Sequence, residues 1–203
     1  MPGVDTDTVR DISAALDDML AKYPHTKILS VEISNVEGDI AQALEDVLRH
    51  NGVKGTRILF SERYATDRNL LSTAVRDAVQ RGHFNSMPAP PAYGAIVHEF
   101  GHALSFSGRS AAVDSADSDL LEHYLRTDGS RLSGGDIMES YRIWRGQLNG
   151  YSFWRGEFDP IEALPEAFTD VELNGGSASE PAQVLFRTLV DAAESQWRRV
   201  GLM

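Results

Sequence analysis

The chain contains no cysteine. Disulfides and thiolate metal sites are thereby excluded, so any metal bound here is held by histidine and carboxylate alone. Basic residues are scarce: 19 Lys and Arg against 30 Asp and Glu give a net charge of −11. No basic stretch offsets that balance, which argues against nucleic acid or an anionic membrane as a partner. Long apolar runs are missing, and no stretch approaches the roughly 18 residues that a membrane helix needs. The first twenty residues lack the basic region and apolar core of a signal peptide. There are no internal repeats and no low-complexity segments. What remains is a chain of 203 residues, 42 % apolar and 24 % charged, the makeup of a soluble globular domain. Its compartment is left open.

Apolar spacing predicts an amphipathic helix over 5–22, with Val9, Ile12, Leu16 and Leu20 on one face. Residues 26–34 read as a strand, 38–52 as a helix stopped at Asn51-Gly52, 55–65 as a second strand and 67–82 as a helix. A proline-rich loop, "NSMPAPPAYG", follows. Beyond the next helix, 107–119 reads as a polar loop, 119–127 as a short helix and 128–135 as a loop. Then come a helix over 136–148, an irregular aromatic stretch, a helix over 160–173 and a last helix over 181–200. Strands and helices first, helices alone afterwards, is the α+β pattern. A small twisted sheet with one helix across it and a mostly helical C-terminal half is expected. We expect one domain over 1–203, with 51–203 as its core and 1–50 as an appendage.

The most apolar stretch, "AIVHEFGHAL", carries two histidines and a glutamate. His98 and His102 are four residues apart, which puts them on one face of a helix with β-carbons roughly 5–6 Å apart. That spacing lets two imidazoles meet one zinc ion, and Glu99 is then placed to act on a water at the metal. His-Glu-x-x-His is the motif of zinc metalloproteases, with the glutamate as general base. Ile96, Val97, Phe100 and Leu104 mark the helix as buried, where unpartnered ionisable groups would be very costly. Gly101 lowers helix propensity by about 1 kcal/mol relative to alanine, so we expect another backbone close against it.

Catalytic zinc takes three protein ligands and keeps a position for water. Ser105 and Gly108 stand where the metzincin pattern needs glycine and histidine, so that class is out. Downstream, "DPIEALPEAFTD" sets Glu162, Glu166 and Asp170 on one helix face. "VHEFGHAL" followed by "PIEALPEAF" resembles the gluzincin-type metallopeptidases related to anthrax lethal factor and the Pro-Pro endopeptidases, found in bacterial toxins and phage proteins. The resemblance implies that His98, His102 and Glu162 bind Zn2+ and that Glu166 orients a ligand histidine. It also implies a zinc-dependent endopeptidase acting on a protein or peptide substrate. "PEAFTD" is also similar to the thermolysin pattern, in which Glu166 would be the ligand and Asp170 its support. Pro165 stands where the lethal-factor pattern favours alanine, and a helix starting near it would leave Glu162 on the lead-in. Asp159-Pro-x-Glu162 also fits a capping box.

The family places a tyrosine shortly before the third ligand, to hydrogen-bond the oxyanion. Here the family's offset falls on Arg155, and the nearest tyrosine is Tyr151, which could equally pack beside Phe153 and Trp154. His83 and His123 read as ordinary histidines, "DSADSD" as a solvated loop and Met138 as core. Residues 56–65 could offer a sheet edge to a substrate strand, with 107–118 and 127–136 as cleft walls. A toxin role would imply an immunity or inhibitor protein, with delivery by a non-classical route or within a larger protein. The rival expectation is a non-catalytic, zinc-stabilised interaction module of a toxin or phage assembly.

Overall fold

Asp5 starts the first helix, its carboxylate accepting from the Thr8 N–H at 2.8 Å, and α1 runs Thr6–Lys22. The computed structural model describes residues 3–47, 52–127 and 135–203. The face that α1 buries holds Thr8, Ile12, Ala15 and Met19, while Val9 is exposed and Leu16 and Leu20 are half-buried. The apolar stripe is therefore turned from the expected one, and small residues let α1 lie close on the site helix.

Three strands follow: β1 (Ile28–Ser34), β2 (Ala41–Val47) and β3 (Lys54–Ser61), in the order β1-β3-β2. β3 is parallel to β1 and antiparallel to β2. Two corrections arise here. Residues 41–47 form a strand where the spacing predicts a helix, and residues 48–51 of that expectation lie outside the described residues. Ala, Gln, Leu and Glu are good helix formers, but propensity differences are worth under about 1 kcal/mol per residue, and pairing with β3 outweighs them. β3 is the central strand, so the sheet's edges are β1 and β2, the one nearer α4 being β2, and not residues 56–65. Ala41 and Ala43 pair with the fully buried Phe60 and Ile58 and share their face of the sheet.

The strand expected to 65 ends at Ser61 and passes into α2 (Glu62–Thr66) and α3 (Arg68–Gln80). α4 (Pro91–Ser107) then crosses the sheet, packed on β2 and β3 on one side and on α1, α7 and α8 elsewhere. Its Ile96, Val97, Phe100 and Leu104 are fully buried. Each such side chain contributes about 1.5–3 kcal/mol by leaving water.

α5 spans Ala111–Thr127, so the expected polar loop over 107–119, including "DSADSD", is mostly helix. Ala112, Ala116, Leu120 and Tyr124, four apart and buried, are the stripe that decides it. Residues 107–118 are thus no cleft-wall loop, and most of 127–136 lies outside the described residues. α6 is Gly135–Arg145, and Met138 on it is exposed, not core. A 3-10 turn (Gly150–Ser152) and a short hairpin, β4 (Phe153–Trp154) with β5 (Glu157–Phe158), lead into α7 (Pro160–Asn174) and α8 (Glu180–Arg199).

The fold is α+β, with a small mixed sheet and a largely helical C-terminal half. Ile12 and Met19 share one core with Ile58, Phe100, Phe168 and Leu185. Residues from α1 to β2 thereby contribute to the same core as the later elements. Among the described residues, no helix is long and apolar enough to cross a membrane.

Candidate metal centre

α4 and α7 approach each other closely at Gly101. A β-carbon on Gly101 would lie 2.8 Å from the Pro165 Cα, so only glycine lets the two backbones come this near. Pro165 lies inside α7, which begins at Pro160 and not at Pro165. Proline forfeits one helical hydrogen bond, but the helix keeps its start. The Asp159 carboxylate accepts from the Ile161 N–H at 3.1 Å, and Ala163 N–H donates to the Asp159 carbonyl at 2.8 Å. The Asp159 N–H goes to the Ser152 carbonyl at 3.0 Å, a bond that a closed capping box would assign to Glu162.

Glu162 instead turns toward α4. Its Oε2 lies 3.5 Å from His98 Nε2 and 3.6 Å from His102 Nε2. One donor atom from each of the three lies within 4.8 Å of the others, and among the described residues this is the one such group. Burial would push the His98 pKa down, but hydrogen bonds to Glu162 and Glu166 hold it well above its ordinary value. Burial likewise opposes ionisation of Glu162, and the two imidazoles overcome it and hold the carboxyl well below its usual range.

Glu166 stands behind His98, with Oε1 3.0 Å from Nδ1. That contact fixes the ring with Nδ1–H toward Glu166 and leaves Nε2 facing Glu162 and His102. The second oxygen of Glu166 accepts from the Asn149 side-chain amide. Asn149 Oδ1 in turn accepts from the Ser152 N–H at 3.3 Å and its hydroxyl at 3.2 Å. Asp170 accepts from the Asn174 amide at 2.8 Å, and that amide also donates to the Ser86 carbonyl at 3.1 Å. It pins α7 to the loop before α4. Sequence reasoning missed Asn149, although Asn-Gly-x-Ser is a recognisable turn signal.

Glu99 lies under the sheet edge and lines the same cleft as the two histidines. It is 6 % exposed and accepts a hydrogen bond from the Ala43 N–H. The register explains why that N–H is free. Ser61 N–H donates to the Ile40 carbonyl at 2.9 Å, which makes residues 40, 42, 44 and 46 the ones bonded to β3. Ala41, Ala43 and Glu45 therefore turn their backbone groups to the open edge. Burial raises the Glu99 pKa, against the pull of both histidines and the Ala43 bond.

Tyr151 lies on the same cleft, its ring 6.1 Å from that of His98 and 5.6 Å from that of Phe84. The segment is docked on the end of α3: Gly150 N–H donates to the Gly82 carbonyl at 2.7 Å and Tyr151 N–H to the His83 carbonyl at 3.2 Å. Burial, and then Glu162, push the phenol pKa up. Its ring packs on Phe84 and His98, whereas Phe153 pairs with Phe158 at 6.2 Å. Arg155 sits in the hairpin turn at φ 52° over the Trp154 ring, outside the lining of the cleft. His123 is engaged elsewhere, 2.8 Å from Glu180 and stacked on Trp144.

The cleft has a volume of about 480 Å³ and gathers residues 38–43, at and just before the start of β2, with His98, Glu99, His102, Tyr151, Glu162 and Glu166. Compared with known proteins, the chain matches no family model, and neither a curated protein nor a solved structure matches it.

Proposed function

We propose that the protein is a zinc-dependent endopeptidase. The carrying observation is the convergence of His98, His102 and Glu162 from two helices, with Glu99 one residue along α4 and buried in the same cleft. The donor set suits zinc: two imidazole nitrogens and one carboxylate oxygen, with one imidazole held by a carboxylate behind it. The resemblance of both motifs to the lethal-factor type of zincin supports the same reading.

Zinc on these three residues would polarise a scissile carbonyl and lower the pKa of water toward about 7. Glu99 takes the proton from the attacking water and returns it to the leaving amine. Its raised pKa suits both halves of that task. Glu166 and Asn149 keep His98 in one tautomer and one orientation. The open edge of β2 binds the peptide as an added strand, through the backbone groups of Ala41 and Glu45 and the Ala43 carbonyl, the Ala43 N–H being held by Glu99. The Tyr151 hydroxyl stays protonated, because its pKa is raised, and donates toward the oxygen that becomes negative.

The test is the metal content of purified protein, followed by incubation with a peptide library. Wild type should hold about one zinc per chain, Glu162→Ala should lose it, and Glu99→Gln should keep it while cleavage disappears. A wild type that takes up no zinc when it is supplied, or a zinc-loaded form that cleaves nothing, ends the proposal.

A further inference from the structure

On the other side of Phe106 lies a second cavity, of about 650 Å³. The two share Phe106, whose ring stacks on His102 at 6.5 Å, and β2 reaches the second through Glu45, beside residues 54–56 of β3. Residues 38–43 line the first, and Glu45 lines the second. Ala43, the backbone partner of Glu99, and Glu45 both face the open edge and are about 7 Å apart along the strand. A peptide paired with β2 at the metal centre would pass Glu45, at the rim of the second cavity.

Three cations rim that cavity: Lys27, Lys54 and Arg109, all exposed. Lys27 precedes β1 and Lys54 begins β3, and the two strands are parallel, so both lysines lie at one end of the sheet. Arg109 comes from the turn after α4, where it and Ser110 adopt φ of 55° and 57°. Two consecutive non-glycine residues in the left-handed region each cost about 1–3 kcal/mol, a strain that functional sites retain. None of the three cations makes an ion pair among the described residues, and Glu45 is the one carboxylate in the lining. In a chain of net charge −11, three unpaired cations around one cavity stand against the overall balance.

We infer that this cavity is a substrate subsite for an acidic side chain, Asp or Glu, two to four residues on the N-terminal side of the scissile bond. The side follows from strand direction. β2 and α4 both run from the first cavity toward the second, and a peptide antiparallel to β2 enters the second cavity with its N-terminal part. Charge complementarity and continuity with the metal cleft select the occupant. The inference rests on the endopeptidase reading for its position, but not for its binding.

The experiment measures peptide binding to zinc-loaded Glu99→Gln protein by fluorescence anisotropy. Peptides differ only in Asp, Ser or Lys at each position, and the same set is then offered to the active protein. Tight binding should need the acidic residue, weaken with salt, and fall about tenfold in Lys27→Glu and in Arg109→Glu. Those two variants should bind the Ser peptides as wild type does, which also shows that they fold. Acid-dependent binding without cleavage would sink the hydrolase reading and leave the subsite standing. Binding indifferent to the acidic residue, or unaffected by either charge reversal, overturns the subsite whether or not peptides are cut. Preference for acid on the C-terminal side of the cut overturns its assigned position.

Discussion

His98 and Glu166 are joined at 3.0 Å through Nδ1, and Glu166 is in turn held by Asn149. The imidazole that faces Glu162 is thus braced from behind by a buried carboxylate, 7 % exposed, with its own donor. Removing the brace leaves the ring free to turn and the Asn149 amide unpaired. Glu166→Ala should keep zinc stoichiometry but weaken zinc affinity by about 10–100-fold. It should also cost about 1–3 kcal/mol of stability in the metal-free protein, from the stranded donors. Chelator competition and urea denaturation check the two effects. A Glu166→Ala protein that loses zinc outright while Glu162→Ala retains it would exchange the roles of the two glutamates.

Tyr151 touches the site through its ring, against His98 and Phe84, and its hydroxyl has no hydrogen-bond partner among the described residues. Tyr151→Phe should therefore leave zinc content and folding stability unchanged. Its kcat should fall about 10–100-fold with KM little altered, the pattern of an interaction made only in the transition state. Equal kcat in the two proteins would reduce Tyr151 to a packing residue.

Gly101→Ala sets helix propensity against packing. Alanine gains about 1 kcal/mol in the helix. Its β-carbon, however, would stand 2.8 Å from the Pro165 Cα, backbone that cannot move aside alone. Overpacking of this kind costs about 1–3 kcal/mol or more, so the variant should melt lower, by about 2–4 °C for each net kcal/mol lost. Gly176→Ala, where nothing lies within 4 Å, is the matched control and should not melt lower.

Glu180 ties α8 to α5 and α6. It lies 2.8 Å from His123 Nε2 and accepts from the Trp144 indole N–H at 3.1 Å. The His123 bond first, and the Trp144 bond next, hold its carboxyl below the ordinary 4.5. A lowered folded-state pKa gives stability that is fully present above the unfolded value and disappears as pH falls through the folded one. The urea midpoint should thus fall more steeply below pH 4.5 in wild type than in Glu180→Gln. Identical acid slopes would show that the pair contributes nothing.

Much of this arrangement was legible in the residues. The i, i+4 histidines with Glu99, the apolar flanks of α4 and the glycine that marks a close backbone all follow from local rules that the fold respects. Glu162 was legible as one of two registers, because helix spacing puts three carboxylates on a face without saying which one turns to α4. β2 was not legible: "AQALEDV" is a helix former by propensity, and only its pairing with β3 makes it a strand. The open edge above Glu99 depends on that tertiary choice. α5 was hidden for a related reason, since Ala112 and Ala116 are small enough to read as loop until something packs on them.

Gly101 precedes His102 by one residue, and Pro165 precedes Glu166 by one, so α4 and α7 touch at the level of the residues that converge. The missing side chain acts as a gauge: with the two backbones already in contact, any atom added at Gly101 would push α7 off α4 and widen the gap that Glu162 spans to His98 and His102. The spacing of the three donors is thus set by a side chain that is not there.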